Sequence, residues 1–119
     1  MHRNLRDETI HVLGAAGKSP ADVLWCGSEE FGWFSWEEFA VAANHEYDSG
    51  FGAQEVAKDL LIVGADFWLE REYDGRERWA FKRMPVKPSD HRPLPRLTDV
   101  LWDTLKEIEG ESDGNQDRS

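Results

Sequence analysis

The chain has 119 residues, a length that fits one domain and leaves no room for a second hydrophobic core. Lys and Arg number 14 against 24 Asp and Glu, so the formal net charge is -10, which disfavours a general nucleic-acid- or lipid-coating role. With 39% hydrophobic residues and six Trp, the composition also disfavours wholesale disorder.

Cysteine usage and hydropathy indicate the cellular setting. Cys26 is the single cysteine and cannot form an internal disulfide, and no Cys/His cluster has the spacing of a zinc module. No run approaches the roughly 18 apolar residues of a membrane span, and no apolar signal-peptide segment follows the polar start of the chain. We therefore expect a cytoplasmic protein with no cofactor, no metal and no membrane partner.

The negative charge is concentrated in one block. Residues 22–75 contain thirteen acids and two bases, a net charge of -11, whereas residues 76–106 contain eight bases and four acids, a net charge of +4. The last ten residues have no apolar side chain, so they bury nothing that would offset the entropy of ordering. We predict a single α+β domain over residues 1–110 and a disordered acidic tail over 111–119.

The first half of the chain predicts short strands and two helices. Residues 22–26 and 32–34 are strand-like, and a helix begins after Ser35, because Ser35 and Glu38 have the spacing of a capping box. Its apolar stripe predicts that it runs to about Asn44 or His45. A second, shorter helix is predicted after the glycine-rich turn at 48–52, with Val56, Ala57 and Leu60 pointing inward.

A strand over residues 60–63 leads into a β-hairpin at 66–83, which is the most informative segment. A three-residue loop, Tyr73–Gly75, with left-handed Gly75, makes every charged cross-strand pair complementary, whereas a two-residue loop opposes like charges. We therefore predict these pairs: Glu72 with Arg76, Arg71 with Glu77, Glu70 with Arg78, Leu69 with Trp79, Phe67 with Phe81, and Asp66 with Lys82. The same register places Trp68 on the face opposite to Phe67 and Leu69.

The end of the chain predicts a connector and a final helix. Residues 84–95 hold four of the five prolines and favour an extended connector. A helix is predicted from about Thr98 to Glu109, with an apolar stripe of Leu97, Leu101, Leu105 and Ile108. The whole pattern predicts an α+β fold, in which a small antiparallel sheet containing the 66–83 hairpin packs against two or three helices.

Motifs for catalysis are weak in this sequence. Cys26, His45 and Asp48 are the residue types of a nucleophile, a base and an orienting carboxylate, but a cysteine after an apolar run is more often a packed core residue. No phosphate-binding loop, zinc-protease motif or calcium loop occurs, and the four histidines are widely dispersed. Paired carboxylates in a cleft are the other catalytic option.

Acidic and aromatic residues favour an interaction surface instead. Carboxylates along one face can imitate phosphates and occupy a basic groove of a nucleic-acid-binding partner, although the plain alternative is a solvated face. Five aromatic residues crowd into positions 25–36, more than a short strand and a helix start readily bury. We predict that the binding residues are Glu29, Glu30, Trp33, Glu37, Glu38 and Trp68.

The hairpin sequence also carries a resemblance. Residues 66–82, DFWLEREYDGRERWAFK, preceded by 47–52, YDSGFG, resemble a group of small phage- and prophage-type proteins of no known activity. The resemblance implies a mobile-element setting and, with it, small host-directed proteins such as inhibitors of defence nucleases. It assigns no residue a role.

Three functional hypotheses follow. The first is a non-enzymatic acidic binding protein that engages a protein partner and blocks a nucleic-acid-binding site of a host protein. The second is a small hydrolase-type enzyme that uses Cys26 and His45 or a carboxylate pair. The third is a structural subunit that self-associates through Trp33 or Trp68.

Overall fold

A computed structural model describes residues 2–50, 52, 54–98, 101 and 103–110. The chain divides into two compact units, residues 1–85 and 86–119. The predicted tail at 111–119 lies outside the described residues.

The described residues of the unit 1–85 form a five-stranded sheet, a two-stranded sheet, two α-helices and a short 3-10 helix, Pro20–Asp22. The helices are α1 (Leu5–Ala15) and α2 (Trp36–Ala42). The strands are β1 (His2–Asn4), β2 (Val23–Ser28), β3 (Gly32–Phe34), β4 (Glu46–Asp48), β5 (Leu61–Gly64), β6 (Phe67–Tyr73) and β7 (Glu77–Arg83).

All strand pairs are antiparallel, which confirms the predicted α+β fold. The larger sheet has the order β3-β2-β5-β6-β7, and β1 pairs with β4 in the smaller one. The predicted strand at 32–34 is confirmed, and those at 22–26 and 60–63 are confirmed with ends shifted by one or two residues.

One face of the larger sheet forms the core together with both helices. Cys26, Ile62 and Leu69 stand in register across three strands, and none of them has accessible surface. Leu13 of α1 and Phe39 of α2 belong to the same buried cluster. The helices therefore pack on this face, and the opposite face of the sheet is left for other contacts.

Helix α2 confirms its predicted start. The Ser35 hydroxyl accepts from the backbone N–H of Glu38, and the Glu38 carboxylate accepts from the backbone N–H of Ser35. The helix ends at Ala42, two or three residues before the predicted end, because the chain turns there to form β4.

The second predicted helix is wrong. Residues 54–60 form turns and irregular structure, and Leu60 is half-buried there. The physical reason lies in Glu77, whose carboxylate accepts from the backbone N–H groups of Glu55 and Val56 at 2.8 and 2.9 Å. A side chain from β7 therefore satisfies donors in this segment.

The predicted hairpin register is wrong by two residues. Leu69 lies opposite Phe81, Arg71 opposite Trp79, and Tyr73 opposite Glu77, so the loop is Asp74–Arg76 rather than 73–75. Gly75 has the predicted positive φ, at 102°. A shift of two residues preserves which side chains share a face, so the predicted separation of Trp68 from Phe67 and Leu69 is confirmed.

The second unit, residues 86–119, includes most of the predicted connector. Residues 84–95 contain neither helix nor strand, as the prolines predict. The predicted helix start near Thr98 is wrong, because Leu101 has a φ of 40° and the helical residues are 105–110. The predicted apolar stripe is wrong for three of its four residues, because Leu97, Leu101 and Leu105 are exposed, whereas Ile108 is buried.

Among the described residues, none of the helices has the length and apolar character needed to cross a membrane.

Candidate binding surface

The face of the large sheet that points away from the core carries a row of aromatic and aliphatic residues. Trp25, Val63, Trp68 and Lys82 are successive partners across β2, β5, β6 and β7. Because neighbouring residues of a strand point to opposite faces, Trp25 and Trp68 lie on the side opposite to Cys26 and Leu69.

A shallow pocket of about 600 Å³ opens where β2 and β3 meet. We call it the aromatic pocket, and its lining residues are Leu24, Trp25, Ser28, Glu29, Gly32 and Trp33. Trp33 is 71% exposed and Leu24 is 65% exposed, so two large apolar side chains of one pocket face solvent together. The predicted binding residues Glu29 and Trp33 are thus brought together.

Backbone geometry shapes this pocket. Gly27 has a φ of 136°, and a Cβ added there would lie 2.0 Å from the carbonyl oxygen of Gly32. The missing side chain therefore lets β3 approach β2 closely. At the turn, the Ser28 hydroxyl accepts from the backbone N–H of Phe31 at 3.0 Å, which holds Glu29 and Glu30 between the strands.

A second pocket, of about 310 Å³, shares Glu29 with the first. We call it the acidic pocket, since four carboxylates line it together with two cations: Glu29, Glu30, Asp59 and Glu70, with Lys58 and Arg71. The carboxylates outnumber the cations, and the charge of Arg71 is already paired with that of Glu77, so this side of the surface is negative.

The carboxylates differ in whether the protein itself neutralises them. Within the described part of the chain, Glu29, Glu30 and Asp59 make no side-chain hydrogen bond or ion pair. By contrast, Glu72 and Asp74 both bind Arg78, and Asp66 binds Lys18. The acidic pocket, next to the aromatic pocket, therefore contains carboxylates whose charge the protein does not pair.

Comparison with family models, curated proteins and solved structures found no match for this chain. The chemistry of the surface itself therefore carries the functional interpretation.

Trp68 occupies a different place on the same face. It is half-buried, and its indole N–H donates to Glu70 Oε1 at 2.8 Å. Trp68 lines neither pocket. It is the strand partner of Val63, so it continues the row of outward-facing residues from Trp25 across the sheet.

Glu37 and Glu38 are exposed in the first turn of α2 and line neither pocket. Glu38 is engaged in the capping box. The structure thus separates these two predicted binding residues from Glu29 and Trp33, which lie together at the β2–β3 end of the sheet.

Cys26 is unsuited to act as a nucleophile. Its side chain belongs to the buried core and has no accessible surface. Burial, with a smaller contribution from Glu37, raises the pKa of the thiol to about 12. A buried and protonated thiol neither reaches a substrate nor supplies a thiolate.

The other two residues of the catalytic hypothesis lie elsewhere. His45 lines a cleft of about 350 Å³ with Tyr47 and Glu55, and Cys26 does not line that cleft. Asp48 accepts from the backbone N–H of Gly50, which lowers the pKa of its carboxyl group. Among the described residues, no group of three His, Cys, Asp or Glu side chains is placed to hold a metal ion.

A buried polar cluster was missed by sequence reasoning. Tyr47 donates its hydroxyl to Glu8 and accepts from Arg71 Nη2 at 3.1 Å, while Arg71 also pairs with Glu77. Burial and the bond to Glu8 raise the pKa of Tyr47 to about 12, although Arg71 opposes this shift. The available signal was that Arg71 and Glu77 occupy inward-facing positions of the hairpin, where charge needs a partner.

Proposed function

We propose that this protein is a non-enzymatic binding protein that engages a basic region of a protein partner through the aromatic and acidic pockets. The single observation that carries the proposal is the presence of the unpaired carboxylates Glu29, Glu30 and Asp59 beside the exposed Trp33.

Electrostatics supports a basic partner. An exposed carboxylate that already binds an internal cation, as Glu72 does with Arg78, contributes little to a partner's attraction. Glu29, Glu30 and Asp59 retain their charge for an incoming Lys or Arg, within a chain whose formal net charge is -10. Such a surface accelerates association with a positively charged partner and repels an anionic one.

The aromatic pocket supplies the apolar part of the contact. Trp is enriched among the residues that dominate binding energy, because its large ring buries much surface at a small entropic cost. Trp33 is exposed at the edge strand β3, and Leu24 beside it adds aliphatic surface. Carboxylates around an apolar centre match the usual arrangement of a hydrophobic core and a polar rim at interfaces.

The kind of partner follows from the same charges. A protein groove that binds nucleic acid is lined by Lys and Arg, and carboxylates at this surface can occupy the positions of phosphates. The resemblance of the hairpin to phage- and prophage-type proteins supports a phage-encoded inhibitor of a host nucleic-acid-binding protein as the biological setting.

A salt titration with a synthetic nona-lysine peptide tests this proposal. We expect binding by isothermal titration calorimetry at low salt, and a fall in affinity of about tenfold or more at 300 mM NaCl, because screening shortens the reach of surface charge to ~6 Å. A nona-glutamate peptide should not bind.

Charge reversal locates the binding surface. We expect Glu29→Lys to weaken nona-lysine binding strongly, whereas Glu46→Lys, an equal charge change at an exposed position of β4, has a much smaller effect. Equal losses for both variants would show that only net charge matters, and affinity unchanged by salt and by Glu29→Lys would refute the proposal.

A second candidate function rests on the exposure of Trp33. A large exposed aromatic side chain at an edge strand also suits self-association of a structural subunit. Sedimentation velocity separates the two functions, since a self-associating chain gives a concentration-dependent dimer that Trp33→Ala abolishes.

A further inference from the structure

We infer that the aromatic pocket is a receptor for an arginine side chain of the partner, with Trp25 and Trp33 stacking on the guanidinium group and Glu29 accepting its N–H groups. This inference rests on the proposed function and adds a preference for arginine over lysine.

The walls of the pocket carry side chains of the types that interact favourably with a planar cation. Trp25 and Trp33 both line it, and Leu24 adds an aliphatic side. Arginine is weakly hydrated and stacks on aromatic faces, whereas the ammonium group of lysine is compact and strongly hydrated. A pocket lined mainly by indole and aliphatic groups therefore favours the guanidinium group over the ammonium group.

Glu29 supplies the matching charge. It is the carboxylate that lines both pockets, and within the described residues its side chain has no cation partner. A guanidinium group presents parallel N–H donors that a single carboxylate accepts together, a geometry that an ammonium group does not reproduce. An arginine in the aromatic pocket thus places its neighbours beside Glu30 and Asp59 in the acidic pocket.

The protein already contains the same recognition chemistry in its core. The Arg71 guanidinium carbon lies 4.5 Å from the ring centre of Trp79, and Arg71 Nη2 lies 3.2 Å from the Glu77 carboxylate. The aromatic pocket is lined by the same two kinds of group, indoles and a carboxylate, and no cationic side chain is among its lining residues.

Single-stranded nucleic acid is the main competing occupant, since bases also stack on tryptophan. The charges decide against it. Phosphate groups next to stacked bases would meet the unpaired Glu29, Glu30 and Asp59. Two cations, Lys58 and Arg71, also line the acidic pocket, but Arg71 is already paired with Glu77. These charges attract a basic polypeptide and repel a polynucleotide, so they favour binding of the polypeptide.

The test compares nona-lysine with the same peptide carrying arginine or citrulline at its central position. Citrulline keeps the shape of arginine and removes its charge. We expect the arginine peptide to bind about tenfold more tightly than nona-lysine, as stacking and a bidentate hydrogen bond predict, and the citrulline peptide to lose this gain.

Variants connect the preference to the pocket. Trp33→Ala should abolish the preference for arginine, so that the arginine and nona-lysine peptides bind this variant equally. Glu29→Gln should reduce the preference with little change in folding. Phe31→Ala is the matched control, because Phe31 is 78% exposed on the same turn but does not line the pocket. Circular dichroism of each variant verifies the fold.

The outcomes separate this inference from the proposed function. Equal affinity for the arginine and lysine peptides, with the salt dependence retained, overturns the arginine pocket and leaves the proposed function standing. No binding of either peptide overturns both. Tighter binding of a single-stranded RNA oligonucleotide, or a dimer that Trp33→Ala dissolves, overturns the inference in favour of that occupant.

Discussion

Arg71 Nη2 lies 3.2 Å from Glu77 Oε2, and both side chains are buried on the inward-facing side of the hairpin. Arg71 stands opposite Trp79 and Glu77 opposite Tyr73, so the pair is diagonal across β6 and β7. Because Glu77 also binds the backbone of Glu55 and Val56, it attaches the segment after β4 to the sheet. Within the described chain, Arg71 Nε and Nη1 have no hydrogen-bond partner.

Removing one member of the buried Arg71–Glu77 pair should strongly destabilise the protein. We expect Glu77→Ala to lower the free energy of unfolding by about 3 to 5 kcal/mol, because it leaves a buried guanidinium group without its counter-charge. Glu72→Ala is the control, since Glu72 pairs with Arg78 at the surface and such a pair contributes less than about 1 kcal/mol. Urea unfolding measures both, and similar losses would contradict the importance of burial.

The hydrogen bond between α1 and β7 gives a second prediction. The Trp79 indole N–H donates to Thr9 Oγ1 at 2.8 Å in a buried environment. We expect Thr9→Val to destabilise the protein by about 1 to 3 kcal/mol, because the variant keeps the shape and leaves a buried donor unsatisfied. Thr9→Ser retains the hydroxyl acceptor, so it should lower the free energy of unfolding by less than Thr9→Val does. Thermal or urea unfolding measures both variants. A smaller loss for Thr9→Val than for Thr9→Ser would be inconsistent with this reasoning.

Two glycines predict opposite effects of the same substitution. Gly27→Ala places a Cβ 2.0 Å from the Gly32 oxygen at a φ of 136°, so we expect a loss of at least about 1 to 3 kcal/mol. Gly14 lies in α1 with open space around its Cα, and Gly14→Ala should stabilise by up to about 1 kcal/mol. Denaturant midpoints measure both variants, and stabilisation by Gly27→Ala would show that β2 and β3 do not pack this closely.

Alkaline pH should reveal the burial of Cys26. Its pKa is raised from 9.0 to about 12, so the folded protein holds the thiol proton more tightly than the unfolded chain. The contribution of the protonated thiol to the free energy of unfolding is fully present below pH 9 and is lost as the pH rises toward 12. We expect the free energy of unfolding to fall between pH 9 and pH 11, and to fall less steeply in Cys26→Ala.

A chemical control accompanies this pH series. At pH 8 the native protein should resist alkylation by iodoacetamide, whereas the urea-unfolded chain reacts readily, because only the unfolded thiol is accessible. Rapid alkylation of the native protein would mean that Cys26 is accessible and would remove the basis of the predicted pH dependence.

Local signals in the sequence were sufficient for several elements. The Ser35–Glu38 capping box defines the start of α2 because both of its hydrogen bonds join residues three apart. Alternation along the hairpin assigns Phe67 and Leu69 to one face and Trp68 to the other, since the period of two is a property of the strand itself. Glu29 and Trp33 were selected from composition alone, and the structure places them in one pocket.

Long-range contacts decided what the sequence could not. The hairpin register was chosen from exposed charge pairs of about 0.2 to 1 kcal/mol each, but Arg71 and Glu77 are buried, where their contacts with Tyr47, Trp79 and the backbone of Val56 are stronger. The predicted contact between Arg71 and Glu77 forms, although the two residues are not direct strand partners.

Helix α1 is the clearest case in which contacts between residues distant in sequence decide the structure. Its inward face includes Glu8 and Thr9, so the apolar period is interrupted and no helix was predicted. Their partners, Tyr47 and Trp79, lie 39 and 70 residues away along the chain. The sequence by itself therefore determined the caps, the strand faces and the position of the negative charge, which depend on neighbouring residues. Only the tertiary structure decided which polar groups are buried and which tryptophan is exposed, because those depend on partners that are distant in sequence.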